Sequence, residues 1–573
     1  MILPPSALRV LSIGMIWAGL VAGFESQVRA ESTYHVSPQG NDGHDGKSPA
    51  TPWRTVARVN AHAFEPGDEI RFERDGEWRE SLVASSSGAP GRPIVFGAYG
   101  TGTMPKFWGS ELLDRTRFEP AAKGVFQVAV AQPIHAVLVN QVFLRSSRLV
   151  LNDGDLARNH GHVQSHPGSW FLDGGVLHVN TDGVDPRTDP RTYSVVVRDD
   201  VVASNGKDHL IFRDLVVDES ARFDAGYGFR IMGSADVRLD TCASYRAGKH
   251  HFGVINSTGF VGVSLLATDA MPDQGAGGAS AFVSYSDRTR SGDTSEYHQC
   301  VARRLNDPGT GGRYPAFVTH GEGVGSVLLH GFISRGGDIA LGNDESGARL
   351  TIQAGRLDDA KLLLHGREIV VDGMTILGGS AGVHLDGARN TLQNLLIIDT
   401  NPGFVGHQAA ITEGGRDNLI RFCTVVMDPA SPDFNAVLSL KRHDSRLRWH
   451  GNVMMSTGTA VRAWFPGFDP REFDASMNFY GRNARFDTRF AGGGTLATLE
   501  SWQALGLDRS SLQGDPRFAD RDNGGYAPRA DSPLIDAVSL DSGLADGVRA
   551  DILGRPRPQG KAHDIGAFES PQP

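Results

Sequence analysis

The sequence predicts an all-β solenoid of the parallel β-helix type, on three observations. Glycine accounts for 71 of the 573 residues, and aromatic residues make up only 8%. Short apolar stretches alternate with turns rich in Gly, Asn and Asp, whereas long amphipathic helix patterns are scarce, which favours strands joined by turns. Strand-like segments recur every 21 to 23 residues in the middle of the chain, a spacing typical of one coil of a solenoid.

The N-terminus predicts an export signal over residues 1–30. Arg9 precedes an apolar stretch at 10–24, and the sequence Val-Arg-Ala at 28–30 fits a cleavage site. The mature chain would then begin near Glu31, with an uncleaved anchor as the alternative. No later segment is long and apolar enough to span a bilayer. We therefore expect a secreted or periplasmic protein.

Residues 31–104 are expected to form an N-terminal cap and the first turns of the coil. The segment TVARVNAHAF at residues 55–64 fits a short amphipathic helix, which would cover the open end of the coil. Asp42 and Asp45 lie in a Gly-rich stretch, where a tight turn and a calcium site are the two interpretations. The cofactor is therefore left open, with calcium as the candidate.

Residues 105–200 interrupt the repeat and predict a small β-rich insertion. The stretch SWFLDGGVLHVNTDGVDP at 169–186 fits a hairpin with its turn at residues 173–175. His160, His162 and His166 fall on a predicted loop at spacings that could chelate zinc, but no acidic residue or cysteine completes a ligand set. No metal site is therefore predicted.

Residues 201–480 carry the repeat, and residues 481–573 are expected to form the last turns and a tail. Two strand types alternate. The first type recurs as GFRIMG (228–233), HFGVIN (251–256), AFVSYS (281–286), AFVTHG (316–321), DIALGN (338–343), KLLLHG (361–366), GVHLDG (382–387) and AAITEG (409–414). Roughly ten turns spaced ~4.8 Å apart would form a groove ~50 Å long. Leucine-rich, helical and propeller repeats fit less well, because the units are short and filled with strands.

Alternation along a strand predicts which side chains face solvent. In GVHLDG, Val383 and Leu385 would point inward, and His384 and Asp386 outward. The same rule predicts one polar outer face with side chains from successive turns, namely Arg230, His251, Tyr285, His320, His365, His384 and Lys441. A register shift of one residue would bury the whole set.

Charge and cysteine content exclude several classes of protein. The net charge of −10 and the absence of dense Lys/Arg runs argue against nucleic acid as a partner. Cys242, Cys300 and Cys423 are too few and too widely spread for a disulfide framework, and their spacing does not suit metal binding. Each lies in an apolar stretch, so we expect three buried core thiols.

Both ends of the chain carry a pattern found in known proteins. The N-terminal pattern reads YHVSPQGNDGHDGKSPATPWRTVARVN (34–60), followed by PGDEIRF and GAPGRPIVFGAYGTGTMP. It resembles the start of exported right-handed parallel β-helix proteins of the pectin-lyase-like superfamily, many of them bacterial polysaccharide lyases. The C-terminal pattern DPRF…SPLIDA…DILGRPRP…HDIGAFE (515–569) resembles the common end of the same superfamily. The resemblance implies a right-handed coil and export. It does not imply one chemistry, because the scaffold is shared by lyases, hydrolases, epimerases and adhesive proteins.

The outer face suggests an acidic polysaccharide as the partner. Uronate carboxylates need cationic or donating side chains, and uronate polymers can be cleaved by β-elimination. The stretch AGKHHFGVIN places a lysine beside two imidazoles, whose charge would lower the pKa of the amine. We therefore predict Lys249, His251 and Tyr285 as catalytic residues. The predicted substrate-binding residues are Arg230, His250, Arg303, Arg304, His320, Glu322, His384 and Asp386.

Other functions remain open at this point. A glycoside hydrolase would need two carboxylates ~5–9.5 Å apart, for which Glu322, Asp344, Asp386 and Glu413 are the candidates. A uronate C5-epimerase would use nearly the same residues as a lyase. A non-catalytic glycan-binding protein of the envelope or matrix is the third class. We expect a monomer in each case.

Overall fold

A computed structural model of the protein describes residues 32–131, 133–146, 155–220, 226–269, 279–287, 292–305, 314–321, 323–342, 349–378, 382–398, 408–427, 435–442, 444–456, 459–463, 469–487 and 497–571. The predicted export signal lies outside these residues, as do Glu322 and Asp344. Within the described part of the chain, no helix is both long and apolar enough to cross a bilayer.

Three long sheets, in which all strands pair in parallel, wind into one coil, which confirms the predicted fold class. Sheet A contains Thr33–Val36, Glu69–Glu73, Ile94–Tyr99, Leu210–Arg213, Val237–Asp240, Phe260–Val263, Asp293–His298, Val324–His330, Arg349–Gln353, Val370–Asp372, Thr391–Gln393, Leu419–Arg421, Leu447–His450 and Phe473–Ser476. Sheet B contains Glu77–Trp78, Lys106–Trp108, Val216–Asp218, Ala243–Tyr245, Leu266–Thr268, Val301–Arg303, Ile333–Arg335, Arg356–Asp358, Thr375–Leu377, Leu396–Ile398, Thr424–Met427, Val453–Ser456, Phe479–Gly481 and Leu512–Gly514.

Sheet C contains the strands of the recognised repeat and additional strands at both ends. Its members are Leu82–Val83, Asp200–Ala203, Tyr227–Met232, His250–Ile255, Ser280–Tyr285, Phe317–His320, Ile339–Leu341, Leu362–Leu364, Val383–Leu385, Gln408–Glu413, Asn435–Leu440, Thr459–Ala463 and Arg485–Phe486. The coil therefore runs through 13 strands of this sheet. This is more than the roughly ten turns predicted, because the turns at both ends do not follow the regular spacing on which the prediction was based.

The corner from sheet A to sheet B is the most regular part of the coil. From the strand Leu210–Arg213 onward, two residues make each connection, and the first of them has a positive φ, such as 53° at Thr241 and 52° at Phe422. This left-handed residue turns the chain sharply, and the second residue then points into the coil. Cys242, Cys300 and Cys423 all occupy that second position, are buried and form no disulfide. The prediction of buried thiols is confirmed.

Apolar side chains stack inside the coil, one layer per turn. Phe229, Phe252 and Phe282 lie on adjacent strands of sheet C, with ring centroids 5.1 and 4.9 Å apart. The column continues through Phe317, Ile339, Leu362, Val383, Ile411, Leu438 and Val461. All of these side chains are fully buried. Burial of each contributes about 1.5–3 kcal/mol, so the column holds successive turns in register.

Helices cover both ends of the coil. At the N-terminal end, the helix Val56–Asn60 starts where the Thr55 hydroxyl accepts from the Arg58 N–H, and it buries Val56 and Val59. The predicted helix was longer, at 55–64, but the chain leaves helical geometry after Ala61. A second helix, Leu499–Ala504, was not predicted. Its Trp502 is fully buried against Phe486, with ring centroids 5.3 Å apart.

The insertion lies between a strand of sheet B, Lys106–Trp108, and a strand of sheet C, Asp200–Ala203. It has one sheet of Ser110–Leu112, Ala136–Val139, Val142–Phe143 and Tyr193–Val196 and another of Glu119–Ala122, Val125–Ala129, Arg145–Ser146, Ser169–Asp173 and Val176–Asn180. The hairpin at 169–186 turns through Gly174 and Gly175, which both have positive φ. A helix, Leu156–Ser165, carries His160 and His162, which were expected on a loop.

The C-terminal segment folds back along the outside of the coil. The N–H of Gly566 donates to the carbonyl of Gly451 at 2.8 Å, and the N–H of Ala567 donates to the Thr424 hydroxyl at 2.9 Å. Phe568 packs with Val426 in a small apolar cluster. The segment thereby covers part of the outer surface of sheets A and B and leaves sheet C uncovered by these contacts. Its remaining strands, Phe518–Asp520 and Gly525–Pro528, form a separate ribbon.

Candidate functional site

The outer face of sheet C, which we call the groove face, is bordered by the longest connections of the coil. Beside the insertion, the connections from sheet B to sheet C include segments of 8, 11 and 13 residues, at 219–226, 269–279 and 304–316. Connections from sheet C to sheet A reach 10 residues at 84–93 and 9 residues at 464–472, with 7 residues at 286–292 and at 342–348. Since loops carry binding groups more often than the scaffold does, this face is the leading candidate for a site.

Lys249 lies at the edge of the groove face, immediately before the strand His250–Ile255. Its backbone N–H donates to the carbonyl of Gly226 at 3.1 Å, and its own carbonyl accepts from the N–H of Ser280 at 3.0 Å. These bonds fix the lysine between two neighbouring turns. A small cavity beside it is lined by Lys249, His251, Ser280 and Tyr314, among others.

His250 is held as a neutral imidazole beneath this edge. Its Nδ1 lies 2.8 Å from the hydroxyl oxygen of Ser280, and that hydroxyl donates to the carbonyl of Phe282 at 3.0 Å. Ser280 therefore accepts from the Nδ1–H of the histidine. Burial, together with the charge of Lys249, lowers the pKa of His250 to about 3.

His251 points into the coil, so its predicted outward orientation is wrong. It is only 2% exposed, and its Nδ1 lies 3.0 Å from the carbonyl oxygen of Ser244 on sheet B. A carbonyl only accepts, so Nδ1 carries the proton and Nε2 is a free acceptor position. That Nε2 atom is buried and has no hydrogen-bond partner among the described residues. Burial lowers the pKa of His251 to about 4.

The physical reason for this misprediction is a break in strand alternation. Tyr227 pairs with His250 and Phe229 pairs with Phe252, and the pair between them is missing from the ladder. The chain bends there, and His251 fills the corner beside Ser244.

The expectation that the two histidines lower the pKa of Lys249 also fails. Both imidazoles are neutral near pH 7, so neither supplies the positive charge that would lower the pKa of the Lys249 amine.

Tyr285 and His320 form a pair on the groove face. They are directly opposite on adjacent strands, and their ring centroids lie 4.8 Å apart. Desolvation lowers the pKa of His320, and the charge of Lys249 lowers it further. Lys249 and His250 therefore lie at the start of one strand of sheet C, and Tyr285 and His320 lie at the ends of the next two strands.

The predicted arginines lie in three different environments. Arg230 is on the groove face, where its Nη1 donates to Asp200 at 2.7 Å. Arg303 ends a strand of sheet B, away from the strands of the groove face, and Arg304 follows at the corner, where it lies 3.5 Å from Asp269. Their proposed contacts with a substrate carboxylate remain predictions, and Arg303 would have to reach around that corner.

His384 and Asp386 lie farther along the coil. Five strand spacings of ~4.8 Å separate the strand Val383–Leu385 from His250, a distance of ~24 Å. Asp386 lies 3.4 Å from His365. The predicted polar column is therefore interrupted. Arg230 and His384 share one outward column, but the positions between them are Gly253, Val283, Val318, Ala340 and Leu363.

Glu413 cannot serve as one of two carboxylates around a scissile bond, because it lies inside the coil. It is fully buried, and both carboxylate oxygens accept from Asn418 Nδ2 at 3.2 Å. Burial raises the pKa of Glu413 to about 8. The remaining candidates for hydrolysis, Glu322 and Asp344, lie outside the described residues, which leaves Asp386 alone among the four.

Tyr227 lies near His250 and Arg230 and was not among the predicted site residues. It is half-buried on the groove face, and its ring centroid lies 5.2 Å from that of His250. The guanidinium of Arg230 lies 5.6 Å from the same ring. The glycine at position 253 could have pointed to Tyr227 in the sequence. It is the residue without a side chain in an outward column of larger residues, and so it leaves room for a neighbouring ring.

Metal binding finds no support in the described part of the chain, where no three His, Cys, Asp or Glu side chains could hold an ion together. Asp42 accepts from the N–H groups of Arg54 and Thr55, and Asp45 accepts from the N–H of Lys47 and the hydroxyl of Thr51. The bond between Asp45 and Lys47, two residues apart, is that of a tight turn, whereas Asp42 binds backbone groups just before the helix Val56–Asn60. Both carboxylates thus have protein donors.

Comparison with known proteins yields matches in structure alone. No family model matches the chain, and no curated protein matches it. The solved complex of XylC with xylose is similar over 94% of this chain and 98% of its own, with 10% identity and a TM-score of 0.46. A complex of the alginate lyase AlyF-OU02 with G6 is similar over 96% of this chain and 98% of its own, with 9% identity and a TM-score of 0.45. A protein described as a glycoside hydrolase is similar over 82% of this chain and 99% of its own, with 9% identity and a TM-score of 0.45.

Proposed function

We propose that the protein is an exported enzyme that cleaves an acidic, uronate-containing polysaccharide by β-elimination at the groove face. The observation that supports this most directly is the grouping around Lys249. Lys249 directly precedes His250, and its charge lowers the pKa of both His250 and His320. The ring of Tyr285, whose phenol hydroxyl can donate a proton, packs against the ring of His320. A nitrogen base and a proton donor therefore flank the same stretch of open sheet.

Each group has a defined part in the proposed reaction. The amine of Lys249, in its neutral form, takes the proton from C5 of a uronate unit. The electrons of that C–H bond form the C4–C5 double bond, and the bond from C4 to the glycosidic oxygen breaks. The hydroxyl of Tyr285 gives its proton to that oxygen. We assign to His320, which lies against Tyr285, the return of the proton from Lys249 to the tyrosinate, which restores the site.

Negative charge develops on the uronate carboxylate during proton removal and needs a donor. Arg230 supplies a fixed guanidinium one strand away, held by its ion pair with Asp200. His320 can also donate a ring N–H to the carboxylate before proton return. We further propose that the mature protein acts outside the cytoplasm as a monomer, and we leave a calcium requirement to experiment.

Absorbance near 235 nm tests the proposal, because the unsaturated product absorbs there. Protein starting at residue 31 would be incubated with alginate, polygalacturonate and other uronate polymers, with and without calcium. We expect a rise for at least one polymer and a loss of at least a hundredfold in Lys249→Ala, which is the range for removing a general base.

Lys361→Ala is the matched control, because Lys361 also directly precedes a strand of sheet C, four strands farther along the coil. It should retain full activity. A rise that Lys249→Ala retains would contradict the assignment of the base. New reducing ends without absorbance would indicate hydrolysis, and exchange at C5 without cleavage would indicate an epimerase. Binding without any reaction would favour a glycan-binding protein.

A further inference from the structure

We propose that Tyr227 forms a sugar-stacking platform on the groove face, one strand before Lys249, that binds a uronate unit next to the one being cleaved. This inference rests on the proposed function for the identity of the sugar. It assigns a binding subsite to Tyr227, Gly253 and Arg230, and it is tested by binding, independently of cleavage.

Gly253 provides the space that the Tyr227 ring occupies. A Cβ at position 253 would lie 2.5 Å from two ring carbons of Tyr227, Cδ1 and Cε1, which is too close for real atoms. The next residues in the same outward column, Val283 and Val318, are bulky. The absence of a side chain at 253 therefore lets the aromatic ring lie across the neighbouring strand.

The platform is held from both sides. The His250 ring packs against it at a centroid distance of 5.2 Å and a tilt of 39°, and the Arg230 guanidinium lies over the Tyr227 ring, 5.6 Å from its centroid. Arg230 is itself fixed by Asp200 at 2.7 Å. These contacts hold the ring at one angle, so a ligand does not have to order it on binding.

The chemistry of the platform fits one unit of an acidic polysaccharide. The C–H face of a pyranose ring is apolar and suits an aromatic surface, and the adjacent guanidinium suits a carboxylate on the ring edge. The backbone N–H of Lys249 donates to Gly226, the residue before Tyr227, so the platform adjoins the proposed base. A chain lying along the coil would therefore place one sugar on Tyr227 and the neighbouring sugar at Lys249.

Affinity electrophoresis in gels that contain alginate or polygalacturonate measures binding directly, and KM from the 235 nm assay measures it under turnover. Tyr227→Leu is expected to weaken binding about tenfold, from lost apolar contact, while kcat stays within a factor of about three. Tyr227→Phe should bind like the wild type, because the ring is kept. Tyr245→Leu, on the outer face of sheet B, is the matched control and should also bind like the wild type.

A double-mutant cycle with Gly253→Ala tests the geometry. Alone, Gly253→Ala should displace the ring and weaken binding about as much as Tyr227→Leu. In the Tyr227→Leu background, the same change should add nothing, because no ring is left to displace. A merely destabilising glycine replacement would instead weaken both backgrounds equally, and that result would overturn the proposal.

The outcomes separate this inference from the proposed reaction. Weaker binding in Tyr227→Leu supports the platform even if no polymer is cleaved. Equal binding by Tyr227→Leu and the wild type overturns the platform and leaves elimination at Lys249 standing. Loss of binding in Tyr227→Phe as well would assign the effect to the hydroxyl and overturn the stacking role. Failure of the wild type to bind any polymer of the panel would overturn the platform.

Discussion

At the scale of single residues, burial decides which polar side chains can take part in chemistry. His250 and His251 look equivalent in sequence, yet one bonds Ser280 at the groove edge and the other bonds Ser244 inside the coil. Both rings stay neutral because ionising a desolvated imidazole is costly. Lys249 therefore has two neutral imidazoles next to it in the chain, and these rings do not lower the pKa of its amine.

Glu413 makes stability depend on pH in the alkaline direction. Burial raises its pKa to about 8, above the ordinary value of 4.5. The folded state therefore holds this proton more tightly than the unfolded state, and the associated stability is lost as pH rises from about 4.5 through 8. One pKa unit is worth about 1.4 kcal/mol, so the loss amounts to about 5 kcal/mol. Glu413→Gln should remove it and raise the melting temperature at pH 9.

Thermal unfolding between pH 5 and 9 provides the measurement. The wild type should lose stability across this interval more steeply than Glu413→Gln does. Glu368→Gln is the control, because that carboxylate is exposed and paired with Arg389. Parallel curves for the wild type and Glu413→Gln would contradict a buried, protonated carboxyl at this position.

At the scale of secondary-structure elements, the two-residue corner between sheets A and B organises the coil. Its second residue can carry an amide instead of an apolar group. Asn452 is fully buried, its Oδ1 accepts from the N–H of Cys423 at 2.9 Å, and its Nδ2 donates to the carbonyl of Ile420 at 3.1 Å. The side chain thus links adjacent turns through backbone groups of the preceding turn.

Asn452→Ala should lower the free energy of unfolding by about 2–3 kcal/mol, because it leaves two buried backbone groups without this partner. Urea unfolding followed by tryptophan fluorescence would show the change. Asn523→Ala removes an exposed amide that bonds Asp520 and should change stability by less than about 0.5 kcal/mol. Equal stability of the two variants would mean that the amide does not link the turns.

At the scale of the whole molecule, the end caps determine whether the coil stays a single particle. Each end of a solenoid exposes unpaired strands and core side chains, so an uncovered end promotes association with another chain. Trp502 covers the C-terminal end through contacts with Phe473 and Phe486. The C-terminal segment covers part of the outside of sheets A and B on the later turns, and these contacts leave the groove face open.

Trp502→Ala should lower stability by about 3–5 kcal/mol and also increase the apparent mass in solution. Trp170→Ala is the control, because Trp170 is buried in the core of the insertion and not at an end of the coil. It should lower stability without association. Light scattering distinguishes the two, and an unchanged mass for Trp502→Ala would contradict the capping role.

Much of the architecture is predictable from sequence, because strand period and coil length are local patterns. The repeat from GFRIMG to AAITEG identifies strands of sheet C, and the apolar stretches around the cysteines predict their burial. The helix Leu499–Ala504 escaped prediction because six residues are too few for a helical pattern to stand out. The outward orientation of His251 failed because one missing pair in a strand ladder reverses the alternation without any change in composition.

The amino-acid sequence by itself determined that this chain forms a parallel coil, that a β-rich segment interrupts its repeat, and that its three thiols are buried. Those features follow from spacing and hydrophobicity along the chain. Only the tertiary structure decided that Glu413 and His251 lie inside, that Tyr227 lies over Gly253, and that Tyr285 packs against His320. These facts depend on residues from neighbouring turns, and desolvation and close packing are set by neighbours in space rather than in sequence.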